Sequence, residues 1–115
     1  MINSYTNVIY GWKFIEEEAD KLRHELEVWD EDYIDNIQNI CIFDYMCGDY
    51  LYIGAILGKW DEDEDGGEII VNNDLINSST KFFNNFIKEN PEFDNIIKDY
   101  IKDKKPQLYI MQQKS

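Results

Sequence analysis

The sequence has little cysteine, histidine or positive charge, and each shortage removes a class of protein. Cys41 and Cys47 are the only two cysteines in 115 residues. Small secreted scaffolds need several bridges, so no disulfide framework is expected, only two reduced, partly buried thiols. A bridge between them would close a short loop and stabilise little. Histidine occurs once, as His24. With the C-x5-C pair it falls one ligand short of a zinc site, and its charged neighbours predict an exposed side chain. No positive charge flanks either cysteine to lower its pKa.

Eleven Lys and Arg stand against 24 Asp and Glu, a net charge of −13. That balance argues against direct binding of nucleic acid or anionic lipid, and favours basic partners or cations. There is no run of 18 apolar residues, so no membrane span is expected. The opening MINSYTNVIYGWK lacks a basic segment followed by an apolar one. A cytoplasmic protein is therefore expected, in the host cytoplasm if the gene is viral. GxGxxG, P-loop and GxSxG patterns are missing, and carboxylates are too abundant for any two to stand out as acid and base. The expectation is a protein that is not an enzyme and uses no cofactor.

What is present is enough for a core. The chain is 43% apolar and holds 17 aromatic residues, unlike a disordered acidic tail. A chain of this length reads as one domain, 1–115, able to bury roughly two thirds of its unfolded surface. The charge is lopsided: residues 1–70 hold 18 Asp/Glu against 4 Lys/Arg, and residues 71–115 hold 6 against 7. Such asymmetry points to a negative face.

Periodicity sets the elements. In residues 5–14, Val8, Tyr10, Trp12 and Phe14 alternate onto one face of a strand, and Gly11 marks a bulge or a close backbone approach. Residues 16–29 read as a helix with Glu16, Glu17 and Glu18 in its first turn and a stripe of Ala19, Leu22, Leu26 and Trp29. Tyr33, Ile34, Ile37 and Ile40 fit a second, short helix with Asp30 as its cap. The stretch CIFDYMCGD is irregular or starts a strand at 40–43. Residues 50–60 read as a central strand, with Leu51, Ile53, Ala55 and Leu57 on one face and Tyr50, Tyr52, Gly54 and Ile56 on the other. After the turn DEDEDGG, residues 68–72 return as its partner. Helices follow at 74–89 and from Pro91, the second capped by Asn90, then a strand at 107–111 and a loose tail at 112–115. The expected class is α+β, order β-α-(α)-β-β-α-α-β: an about four-stranded, mostly antiparallel sheet with three to four helices packed on it.

Two acidic features carry the functional reading. Asp61, Asp63, Asp65 and Gly66 resemble the opening of an EF-hand calcium loop, D-x-D-x-D-G. The pattern ends there, because the eighth and twelfth positions are Glu68 and Asn72 and the flanks read as strands. A weak Ca²⁺ site at Asp61, Asp63 and Asp65 is the metal alternative to a solvated hairpin tip, and no other metal site is expected. The second feature is the acid-rich stretch from Glu16 to Asp35, where Glu17–Lys21 and Asp20–Arg23 or Asp20–His24 offset few of the charges. Carboxylates repeated along a helix can imitate phosphates, and the composition resembles that of DNA-mimic inhibitors.

The reading is an acidic inhibitor that occludes a basic, nucleic-acid-binding target protein. Its partner-binding residues are Glu17, Asp20, Glu27, Asp30, Glu31, Asp32 and Asp35, with Asp61, Glu62, Asp63, Glu64 and Asp65, and with Tyr45 and Trp60 as aromatic anchors. The Asn/Ile/Lys/Asp/Tyr-rich composition suits a phage or mobile-element gene, and hence a counter-defence protein of the anti-CRISPR or anti-restriction kind. The alternatives are an immunity protein or antitoxin against a basic nuclease, and a small enzyme or nucleotide-binding protein.

Overall fold

The computed structural model describes the backbone of residues 4–43, 50–61 and 70–114, and the side chains of residues 6–42, 50–59 and 70–112. The elements are β1 (Ser4–Ile15), α1 (Glu16–Trp29), α2 (Tyr33–Asn36), β2 (Cys41–Phe43), β3 (Tyr50–Asp61), α3 (Asn73–Glu89), α4 (Pro91–Ile101) and β4 (Gln107–Lys114). The strands form one antiparallel sheet in the order β2-β3-β1-β4. Class and element order are those expected.

Period-two alternation in β1 and β3 divides the sheet into two faces. Val8 and Phe14 of β1 join Leu51, Ile53, Ala55 and Leu57 of β3 in one buried cluster. Each helix adds to it: Ala19, Leu22 and Leu26 from α1, Tyr33 from α2, Phe83 from α3, Phe93 and Ile97 from α4. Apolar stripes at helical spacing thus cover one side of the sheet. On the other side Ile9, Ile42 and Tyr52 form a smaller cluster with Ile56, Tyr109 and Met111.

β1 and β3 pair along their whole lengths, from Tyr5 opposite Asp61 to Ile15 opposite Tyr50. Val8 faces Gly58 while Ile9 faces Ile56, so Leu57 is an extra residue on β3 that keeps its side chain in the core. Gly11 sits directly opposite Gly54. A Cβ on Gly11 would lie 2.7 Å from the Cα of Gly54, so of the two roles expected for Gly11 the close approach is the real one.

β1 passes into α1 with no loop, and the junction is strained. Glu16, the first helical residue, has φ 54°, the only positive φ among the described non-glycine residues. An L side chain in this region costs about 1–2 kcal/mol, and glycine escapes that cost. Glu16→Gly is therefore expected to leave stability unchanged or raise it by up to about 1 kcal/mol. Glu17→Gly, one residue later in ordinary helical backbone, is expected to lose about 0.5–1 kcal/mol. Urea denaturation of the two variants checks the opposite signs; equal losses would rule out strain at Glu16.

Several local expectations are corrected. The partner strand expected at 68–72 is not seen at residues 70–72, which carry no strand; residues 68 and 69 lie outside the described residues. β3 is instead flanked by β1 and by the three-residue β2, which pairs Cys41–Phe43 with Leu51–Ile53. Asp30 closes α1 rather than opening α2, although its Oδ1 accepts from the backbone N–H of Asp32 at 3.0 Å. Asn90 stands at the N-cap of α4 as expected, but its side chain makes no capping bond: its Nδ2 donates back to the carbonyl of Phe86 in α3. The helix that is capped by a side chain is α3, where Asn72 Oδ1 accepts from Leu75 N–H at 2.9 Å. The expected loose tail is strand through Lys114, because β4 pairs with β1 down to Lys114 opposite Ser4.

Candidate functional site

The negative face is built on α1. Its core stripe of Ala19, Leu22 and Leu26 is fully buried, which fixes the rotation of the helix about its axis. At 100° per residue, Glu17, Asp20, His24, Glu27 and Val28 then fall on the opposite side, and all are exposed. Glu31, Asp32 and Asp35, in and beside α2, are exposed as well. α1 alone carries six carboxylates over 14 residues. Of these, Glu17, Asp20 and Glu27 lie on the outward side, separated by three and seven residues, or about 4.5 and 10.5 Å at a rise of ~1.5 Å.

The acids divide by what their neighbours do. Those at the flanks of α1 are engaged in the fold. Glu18 forms an ion pair with Lys104 at 2.5 Å, and Glu25 accepts a short hydrogen bond from the Tyr100 hydroxyl. These two contacts tie α1 to α4 and to the segment that follows it. Asp20 pairs with Arg23 at 2.9 Å, while the same guanidinium donates to the carbonyl of Tyr50 in β3. Asp30 accepts from Asp32 N–H and, at 2.6 Å, from Asn36 Nδ2. By contrast, the carboxylates of Glu17, Glu27, Glu31, Asp32 and Asp35 have no ion-pair partner among the described residues. The expected Glu17–Lys21 pair does not form; the expected Asp20–Arg23 pair does.

Burial and the Glu25 carboxylate, in that order, push the Tyr100 hydroxyl well above its ordinary range, so it remains a donor to Glu25. Burial likewise raises the Cys41 thiol, with Arg23 opposing only in part. Cys41 is therefore a thiol held protonated, buried at the wall of the larger of two hollows. His24 is exposed on α1. It lines neither of these two hollows, one of about 540 Å³ between α3 and the β2 side of the sheet, the other of about 380 Å³ between α1 and α4. Among the described residues, no three His, Cys, Asp or Glu side chains are placed to hold a metal ion. Among the same residues, no helix is long and apolar enough to cross a membrane.

The other predicted site residues lie elsewhere. Trp60 and Asp61 end β3 by their backbone, and Tyr45 and Glu62 to Asp65 fall outside the described residues, as does Cys47. Asp61 pairs with Tyr5, whereas the residue leading into α1, Ile15, pairs with Tyr50. Measured along β3, Asp61 and the start of the acidic helix stand at opposite ends, about 35 Å apart at ~3.3 Å per residue.

Two apolar residues within the acidic face escaped the sequence reading. Val28 is 75% exposed and Ile34 is 39% exposed. Ile34 was expected on the inner side of its helix with Tyr33 and Ile37, which are buried. The signal for Val28 was available, since it stands four residues after His24 on the stripe opposite Leu22 and Leu26.

No protein-family model matches the chain, and comparison with curated proteins and with solved structures returns no significant match.

Proposed function

We propose that this chain is an acidic binding protein that occludes a basic target, a nucleic-acid-binding protein by preference, through the outward side of α1 and the adjoining α2. The observation that carries this reading is the set of exposed, uncompensated carboxylates at Glu17, Glu27, Glu31, Asp32 and Asp35. Leaving so many like charges together weakens the fold by self-repulsion, and a basic partner relieves it. A groove built for nucleic acid would meet carboxylates along this face where it expects phosphates. Val28 and Ile34 supply apolar contact within the acidic rim, as at an interface centre. A counter-defence role in a phage or mobile element is the biological setting that this chemistry suits.

The test is capture at two salt concentrations followed by competition. Partners held at low salt should be basic nucleic-acid-binding proteins, displaced by duplex DNA and released near 1 M salt, where the Debye length falls to ~3 Å. A variant combining Glu17→Gln, Glu27→Gln, Glu31→Gln and Asp35→Asn should bind at least about tenfold more weakly, ~1.4 kcal/mol, mainly through slower association. Its melting temperature should not fall, because these side chains hold nothing in the fold. Salt-indifferent capture, or undiminished binding by the variant, would sink the proposal. Neutralising Asp61, Asp63 and Asp65 separately tests whether the acidic turn adds anything.

A further inference from the structure

The two edges of the sheet differ in how they are protected. β2 is three residues long and adjoins the acidic α2 segment through Ile40, whose carbonyl accepts from Gly54 N–H. β4 is eight residues long and pairs with β1 in unbroken register, with no bulge. No described strand lies on its outer side. From Gln107 to Gln113 it holds no charge and no proline. Short length, charged side chains, proline and bulges are the devices that normally keep an edge from pairing, and of these β4 has only Lys114, at its very end.

Its side chains fit a second strand on both faces. On the helix side Leu108 is 43% and Ile110 is 66% exposed, beyond the cover of the helices. On the other side Tyr109 and Met111 are half-buried at the margin of the cluster of Ile9, Ile42 and Tyr52. The sequence QLYIMQQ is close to self-complementary when run against itself. A two-fold axis at Ile110 places Ile110 opposite its own copy, Tyr109 opposite Met111, and Gln107 opposite Gln113. No charge faces a charge across that pairing, and the sulfur–aromatic contact is favourable.

Charge placement makes a second copy the fitting occupant. Two chains of net charge −13 repel each other, so they can meet only where the charge is lowest. The acids of Glu31 to Asp35 stand at the β2 side, the far edge of the sheet from β4. Residues 71–115, which include β4, are nearly neutral.

We propose that this chain self-associates by antiparallel pairing of β4 with β4 of a second copy, giving one continuous eight-stranded sheet. An edge of eight residues buries less than the ~800 Å² per partner of a standard interface, so the dimer is a weak, concentration-dependent one. The pairing leaves the acidic face of α1 free, and it stands or falls independently of the function proposed above.

Sedimentation velocity on the full chain, from low micromolar to millimolar, tests it. The mass should rise from 13.8 kDa toward twice that value, and rise further with added salt, which screens the repulsion between copies. Salt thus acts here with the opposite sign to its effect on a basic partner. Ile110→Lys sets two like charges against each other at the axis and should weaken the dimer at least about tenfold. Its monomer should melt as wild type does, because the side chain is already mostly in water. Ile70→Lys, at a comparably exposed site (65%) outside the strand, should dimerise as wild type. A wild type that stays at 13.8 kDa to millimolar concentration overturns the proposal, as does an Ile110→Lys variant that dimerises equally well.

Discussion

Gly11→Ala is expected to cost more than 3 kcal/mol, enough to remove a large part of the 5–15 kcal/mol that stabilises a typical domain. The added methyl group would meet backbone, not side chain: the Cα of Gly54 at 2.7 Å and, closer still, the carbonyl oxygen of Ile53. A side chain could swing aside, but these atoms move only if β1 and β3 separate. The two strands are held on both sides of the contact by pairs from Val8–Gly58 to Ile15–Tyr50, so separation breaks a ladder at the centre of the sheet. Gly54→Ala should cost as much, because its methyl group would approach the Tyr10 carbonyl at 2.5 Å and Gly11 Cα at 2.6 Å. The double variant should then lose less than the sum of the two, since strands parted for one methyl group already admit the other. A double-mutant cycle in urea reads this directly. Full additivity, or losses under about 1 kcal/mol for the single variants, would show that the approach is not tight.

Phe93→Ala is expected to lose about 3–5 kcal/mol and to lower the melting temperature by roughly 15 °C or more. Phe93 is fully buried where α4 meets α1 and α3. Its ring stands edge-on to Phe86 at 5.5 Å and tilted against Trp29 at 5.6 Å. The indole of Trp29 is oriented by a hydrogen bond to Glu92, the residue beside Phe93, at 3.1 Å. Truncation therefore opens a cavity at a three-helix junction whose other walls are held in place and cannot collapse into it. Phe82→Ala is the control: the ring is 53% exposed, and its removal should change stability by less than about 1 kcal/mol. Similar losses for the two phenylalanines would contradict the packing described.

Those two phenylalanines also show what the sequence could and could not disclose. Periodicity placed α1 at 16–29 and sorted the residues of β3 onto their two faces, because these are long segments with many repeats of one pattern. Phe82 and Phe83 are adjacent in an apolar helix, and periodicity alone does not say which turns inward; the answer depends on the position of β3, a long-range fact. β2 has three residues, too few for alternation to decide between the strand start at 40–43 and an irregular stretch; the strand forms because Ile40 and Cys41 meet a strand ten or more residues away. Asn90 takes the cap position that its residue type suggests, but its side chain bonds the carbonyl of Phe86 instead of the start of α4. The acidic face was legible as composition and as a helical stripe. That α1 starts at the opposite end of β3 from Asp61 was not, since that follows from the pairing of Tyr5 with Asp61 and Ile15 with Tyr50.

The sheet order has a consequence for how the chain acquires its shape. β1 lies between β3 and β4, so one of its two ladders is supplied by residues about a hundred positions later. Joining β1 to β4 rather than to β3 costs only about 0.7 kcal/mol more in loop entropy, because that cost grows with the logarithm of length. The rate is more sensitive than the stability, since distant pairings slow folding. Until the final strand docks, β1 presents a bare edge carrying Val8, Ile9 and Tyr10, which are covered in the finished protein. As the chain is made, Gln107–Lys114 follows the other strands, so that edge stays bare at least until these eight residues have been added.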